Sequence, residues 1–346
     1  MRAPHAEAAS DFASAERRRA VALAALEGVR SLASEAELAV LRAWLEAEAT
    51  ALAPLWTSRQ ADGRVRECHG DLHLANVVSL DSDVVAFDCT EFDPALRWID
   101  VLDDVAFVVM DFAAHDRRDF AFRFINEWFD HTGDHAGLPA LRFSVVYRAL
   151  VRAQMALLRR AQDAARRYLQ TALAWSYRRD ARLFITHGLP GSGKTFAAQR
   201  LLEQEGAIRL RSDVERKRLF GLGMLADSCA RGLNLYDADA TTRTYEHLFG
   251  TARIALQAGY PVIIDAAFLR RAERAQALGL ARSLGVPFDI IDCKATLPVL
   301  RARLLGRRGD PSEADAVVLD RLRNVAEPLA SDELAFVQAL PGDGVP

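Results

Sequence analysis

Gly188-Leu189-Pro190-Gly191-Ser192-Gly193-Lys194-Thr195 sets three glycines, a lysine and a threonine in the order G-x-x-x-x-G-K-[ST]. Each residue type has a physical task. Gly188, Gly191 and Gly193 let the backbone curl until successive N–H groups, that of Ser192 among them, converge on phosphate oxygens. A helix beginning at the end of the loop adds partial positive charge. Lys194 carries an ammonium to the β- and γ-phosphates, and the Thr195 hydroxyl takes a position on Mg²⁺. Lys194, Lys217 and Lys294 are the only lysines in the chain. In a sequence that uses arginine by default, a compact point charge directly after the glycines is informative. ATP with Mg²⁺ is therefore the expected ligand.

Chemistry on the bound triphosphate needs an acceptor side. Nineteen residues past Lys194, RSDVERKR carries Asp213 and Arg216. At a strand end, Asp213 can take a hydroxyl proton while Arg216 holds an anionic acceptor or the γ-phosphate. A second reading makes Ser212 or Asp213 a helix N-cap. Asp265 closes the apolar run GYPVIID and is the carboxylate expected near Mg²⁺. Arg303 and Arg307, four apart, share a helix face, either as a lid over the transferring phosphate or as a solvated basic face.

A second chemical stretch lies far upstream. HGDLHLAN at 69–76 fits H-x-D-x-x-x-x-N, with Asp71 as base and Asn76 on a metal; Asp88, 17 residues past Asp71, is a second candidate metal carboxylate. His69 and His73 lack the further ligands a zinc site needs. Asp100, Asp103 and Asp104 read as helix caps and ion-pair partners.

Elements to position these residues are readable in outline. Residues 14–53 repeat apolar positions at helical spacing and read as one or two amphipathic helices. NVVSL and VVAFDC form a strand pair with a turn at 81–83. Residues 96–177 are helical, broken at 131–139. RLFITH then feeds the glycine loop, a helix runs over 195–204, and strands at 259–265 and 287–293 alternate with helices. That alternation predicts an α/β fold: a P-loop parallel sheet with flanking helices, preceded by a mostly helical domain. Expected boundaries are 1–66 (a helical leader of the first domain), 67–180 and 181–346.

Composition narrows the class. The 346 residues suffice for two domains, and 51% hydrophobic with 26% charged content is ordinary for a globular chain. A net charge of −3 gives no global basic field for nucleic acid, though a local groove stays open. The longest apolar run is far short of the roughly 20 residues a membrane helix needs. Cys68, Cys89, Cys229 and Cys293 form no C-x-x-C pair, which fits a reducing cytoplasm.

Residues 182–340 resemble P-loop kinases of the polynucleotide-kinase, zeta-toxin and chloramphenicol-phosphotransferase type, through GLPGSGKT, RSDVERKR, GYPVIIDAAFLRRAER and the arginine segment. The resemblance implies ATP-dependent phosphorylation of a hydroxyl on a small molecule or nucleotide. Asp213 would be base, Arg216 would face the acceptor, Thr195 and Asp265 would flank Mg²⁺, and Arg303 and Arg307 would form the lid. HGDLHLAN with Asp88 resembles the C-lobe of aminoglycoside phosphotransferase-like kinases. The order C-lobe then P-loop domain is similar to a bacterial two-domain family from about residue 64 onward. Kinases of that first kind hold ATP with an N-lobe carrying a strand lysine, yet residues 1–66 contain two glycines and no lysine. The Asp71 loop is thus expected to be a remnant, or to have its N-lobe upstream of Met1. Three alternatives stay open: a nucleotide-sensing ATPase switch, small-molecule phosphorylation from Asp71, and polynucleotide 5′-hydroxyl phosphorylation. The acceptor and the oligomeric state are not readable.

Overall fold

Leu38, Leu41, Leu45, Ala49, Leu52, Trp56 and Arg59 recur every three or four residues and make one buried stripe of a 27-residue helix. The computed structural model describes residues 12–177, 180–228, 231–233, 235 and 237–338; Cys229 and the boundary residues 178–179 lie outside them. The chain divides into two units, Met1–Ala121 with Gly137–Arg178, and Phe122–Ala136 with Arg179–Pro346. The boundary near 180 expected from sequence thus falls between 178 and 179, and a second-unit segment comes from within the helical half.

The first unit holds α1 (Ala15–Glu27), α2 (Glu35–Ala61), β1 (Val65–Glu67), the hairpin β2 (Val77–Leu80) and β3 (Asp83–Ala86), α3 (Pro94–Arg97), β4 (Trp98–Asp100) and α4 (Val101–Ala114). α5 (Arg118–Thr132) runs across the division, and α6 (Leu138–Leu158) and α7 (Gln162–Tyr177) complete the helices. Ser34 starts α2 with a capping box shared with Glu37, which satisfies two otherwise orphaned N–H groups. β1 pairs antiparallel with β4, a strand pair that the sequence reading did not contain. Breaks between α4 and α5 and between α6 and α7 were also unreadable.

Buried ions tie this unit together. Arg59 donates to both oxygens of Asp100 at 2.7 Å, and Arg18 meets Asp103 at 2.9 Å, with Ser144 donating to Asp103 at 2.6 Å. Two parallel N–H···O bonds suit a guanidinium against a carboxylate. Further along α4, Asp104 accepts the backbone N–H groups of His69 and Gly70, and Asp111 accepts that of Leu74. These α4 carboxylates hold the HGDLHLAN loop in place.

The second unit is built on β5 (Leu183–His187), β6 (Ile208–Arg211), β7 (Val262–Asp265) and β8 (Phe288–Asp292), all parallel, in the order β6-β7-β5-β8. Its helices are α8 (Lys194–Glu205), α9 (Ser212–Leu219), α10 (Ala238–Gln257), α11 (Arg271–Leu284), α12 (Leu297–Gly306) and α13 (Ala316–Val325). Strands buried along nearly their whole length explain the continuous apolar runs in the sequence. β6 is an edge strand, and Asn126 covers it. The Asn126 side chain accepts from Arg209 N at 2.6 Å and donates to the Ala207 carbonyl at 2.9 Å, standing in for a neighbouring strand.

His135, stacked on Phe129 and buried, keeps Nε2 without a hydrogen bond among the described residues. Burial, opposed by the pull of Glu215 and aided by Arg218, pushes its imidazole down to about 4. Between pH 6.5 and 4 the unfolded chain therefore binds a proton that the folded unit refuses. Stability falls as pH drops through that window, by up to about 3 kcal/mol. Denaturant unfolding at pH 7 and pH 4.5 reads this slope, which His135→Gln is expected to flatten.

Candidate functional site

The strand order makes β5 the topological switch point, flanked by β7 on one side and β8 on the other, and ligands of such sheets bind beyond the carboxyl ends of the strands there. The glycine loop leaves β5 at this point. Gly188 has φ +142°, and a Cβ there would lie 2.3 Å from the Cys293 carbonyl oxygen, so no side chain fits. Gly191 and Gly193 also have positive φ, which turns the backbone inward before α8 begins at Lys194.

Lys194 donates to the Leu189 carbonyl at 3.0 Å, its ammonium laid across the loop. Burial lowers its pKa from the ordinary lysine value, while the Asp265 and Asp213 charges act in the opposite direction. Thr195 follows at the second position of α8. Two orphaned donors test the fit of a phosphate chain. Buried Ser192 Oγ and Arg307 Nη1 have no hydrogen-bond partner among the described residues. Orphaned donors in and beside a curled glycine loop are what phosphate oxygens satisfy, and the residues present fit a phosphate chain.

Two clefts open at this loop. One, about 480 Å³, is lined by Gly191, Gly193, Phe196, Arg303 and Arg308. The other, about 540 Å³, is lined by Asp213, Arg216, Asp265, Arg270 and Glu273. Lys194, Thr195, Arg307 and Asp310 line both. A donor and an acceptor in the two clefts would meet at Lys194.

On the acceptor side, β6 delivers Arg211 in register with Asp265 of β7, and α9 starts immediately. Arg211, not Ser212 or Asp213, occupies the N-cap position, and no side chain caps the helix. The capping alternative for Asp213 therefore does not hold. Asp213 accepts from Arg216 Nη1 at 2.9 Å instead. Arg216 was expected to face the acceptor; it lines that cleft while donating to the aspartate.

The lid arginines are only partly as expected. Arg303 lies in α12 and donates to the Gly191 carbonyl at 3.3 Å. α12 ends at Gly306, and Arg307 is its extended C-cap, so the two do not share a helix face. Gly306 is the last residue of α12, so the helix stops before Arg307 can stack on Arg303. The other two lysines are in ion pairs, Lys217 with Glu313 at 3.0 Å and Lys294 with Asp292 at 2.6 Å.

In the first unit, Asp71 lies 3.4 Å from His73 Nε2 and accepts from Asn76 Nδ2 at 3.4 Å. His73 holds the Asp71 carboxyl below the usual range against the opposing effect of burial. Asp88 is exposed, at φ +60°. Among the described residues no three His, Cys, Asp or Glu side chains converge as a metal set, and no helix is long and apolar enough to cross a membrane.

Residues 183–329 match the family model described as an AAA domain. The glycine loop at the end of β5 in a parallel sheet agrees with that match and gives the second unit a P-loop fold. An uncharacterized protein of Mycobacterium tuberculosis H37Rv and another of Mycobacterium bovis are each 30% identical over 271 residues, 76% of this chain and 54% of each relative. The chain spans about half the length of the curated relatives it matches. Among solved structures, a gluconokinase from Sinorhizobium meliloti 1021 is similar at 16% identity and a TM-score of 0.33, over 46% of this chain and 82% of that one. The APS kinase of Mycobacterium tuberculosis, in complex with AMPPNP and APS, is similar at 22% identity and a TM-score of 0.30, over 36% of this chain and 68% of that one.

Proposed function

We propose that the second unit transfers the γ-phosphoryl group of ATP to a hydroxyl of a small molecule or nucleotide. The observation that carries this reading is the pair of clefts meeting at Lys194 and Thr195, with Asp213 lining only the second. An ATPase without an acceptor has no need for a second cleft lined by a carboxylate beside the loop.

In this reading the curled loop and Lys194 hold the β- and γ-phosphates, with Arg303 and Arg307 beside them. Thr195 and Asp265 would hold Mg²⁺, which would neutralise phosphate charge. Asp213 takes the acceptor proton as the acceptor oxygen bonds to the γ-phosphorus. The bond from phosphorus to the bridging oxygen breaks, and the electron pair leaves with ADP. Arg216 fixes Asp213 in orientation. Catalysis is then positioning and charge neutralisation, with no covalent intermediate.

ADP release measured with ATP and a panel of hydroxylated metabolites and nucleosides tests the reading. Release that depends on one acceptor class supports it. Release indifferent to every acceptor, and unchanged in Asp213→Asn, would favour a nucleotide switch.

A further inference from the structure

The cations on β6 and α9, of which Arg211 and Arg216 line the acceptor cleft, differ in how they are engaged. Arg216 donates to Asp213. Arg209, two residues before Arg211 on β6, donates to Gln199 at 2.8 Å and to Asp130 at 3.1 Å, and is structural. Lys217 on α9 is locked between Glu313 and the Met224 carbonyl. Arg211 is different. Its side chain is 14% exposed, and its guanidinium meets only two carboxylates, Asp130 at 3.8 Å and Asp310 at 3.9 Å. Among the described residues it donates no hydrogen bond of ordinary length.

Arg211 lines the acceptor cleft, and its five N–H donors, with no protein hydrogen bond among the described residues, are open to a ligand there. The two distant carboxylates compensate the charge without using the donors. A guanidinium in this state is completed best by an oxyanion taken through two parallel bonds. The residue also stands at the mouth of the chemistry. It ends β6 in register with Asp265 and lies two residues before Asp213.

We infer that Arg211 is the specificity-determining residue of the acceptor cleft and clamps an oxyanion, a carboxylate or a phosphate, on the molecule that offers its hydroxyl to Asp213. The inference rests on the phosphotransferase reading above and narrows it: neutral polyols and unmodified nucleosides are poor acceptors. Asp130 is a positioning residue in this scheme. Burial pushes its carboxyl up to about 6 against the attraction of Arg209 and Arg211, with Glu127 adding to the rise. Its Oδ1 also lacks a hydrogen bond among the described residues. Asp130 thus steers Arg211 by charge rather than by seizing its donors.

Calorimetry on the full chain saturated with AMP-PNP tests this, because the glycine loop is then filled. Inorganic phosphate and malonate are titrated separately into wild type, Arg211→Gln and Arg211→Lys. The expected result is binding of at least one of the two, weakened about tenfold or more in Arg211→Gln and partly retained in Arg211→Lys, since charged hydrogen bonds are lost. The probe that binds identifies the oxyanion as phosphate or carboxylate. An affinity unchanged in Arg211→Gln, or no binding of either anion to wild type, overturns the clamp while leaving the transfer reading standing. Failure of AMP-PNP itself to bind sinks both.

Discussion

Lys194→Ala is expected to reduce acceptor-dependent ADP formation by about a thousandfold or more, and to weaken ATP binding by about ten- to a hundredfold. The ammonium is laid over the loop at the junction of both clefts, so its charge faces the triphosphate in the ground state and the transferring group afterwards. Only the second contribution appears in kcat, which is why the rate should fall further than the affinity. Lys194→Arg should not restore the rate, because a planar fork cannot occupy the position of a point charge bonded to Leu189 O. Removing a partly desolvated cation relieves a burial cost, so the variant should fold, which a thermal melt checks.

Asp213→Asn separates binding from transfer. The amide keeps the size of the carboxylate and still accepts from Arg216, but it cannot take the acceptor proton. The expected outcome is a fall in kcat of about 10² to 10⁴, with the ATP dissociation constant within about twofold of wild type. Steady-state ADP release and a nucleotide titration measure the two quantities independently. A rate near wild type would mean that Asp213 serves only to hold Arg216.

The sequence was most informative where a rule is written in residue type and order. GLPGSGKT between an apolar run and a helical pattern specified the β5–loop–α8 unit almost to the residue, because few conformations other than the curled loop require glycine at 188, 191 and 193. β7 and β8 were legible because strands buried on both faces are continuously apolar. What stayed hidden depended on partners far apart in sequence. The amphipathic pattern around Asn126 and Asp130 announces a helix with a buried face, but nothing in it says that the face belongs to the second unit or that Asn126 completes the edge of β6. Arg211 was unreadable for a compositional reason. With 44 basic residues of which three are lysines, the chain holds 41 arginines, and one more before Ser212-Asp213 carries no signal. Its lack of hydrogen bonds is a property of the folded site. The shared helix face of Arg303 and Arg307 failed because a spacing of four has meaning only while the helix continues, and Gly306 ends it.

HGDLHLAN was legible as a motif and not as a function. The loop is held by Asp104 and Asp111 of α4, and Asp71 faces His73 and Asn76. Whether nucleotide engages that loop or the glycine loop is a question of binding, and binding separates them cleanly. The decisive measurement is an AMP-PNP titration of wild type, Lys194→Ala and Asp71→Asn in the presence of Mg²⁺. The account predicts that Lys194→Ala loses most of the affinity and that Asp71→Asn matches wild type. Affinity that survives Lys194→Ala and disappears in Asp71→Asn would contradict it.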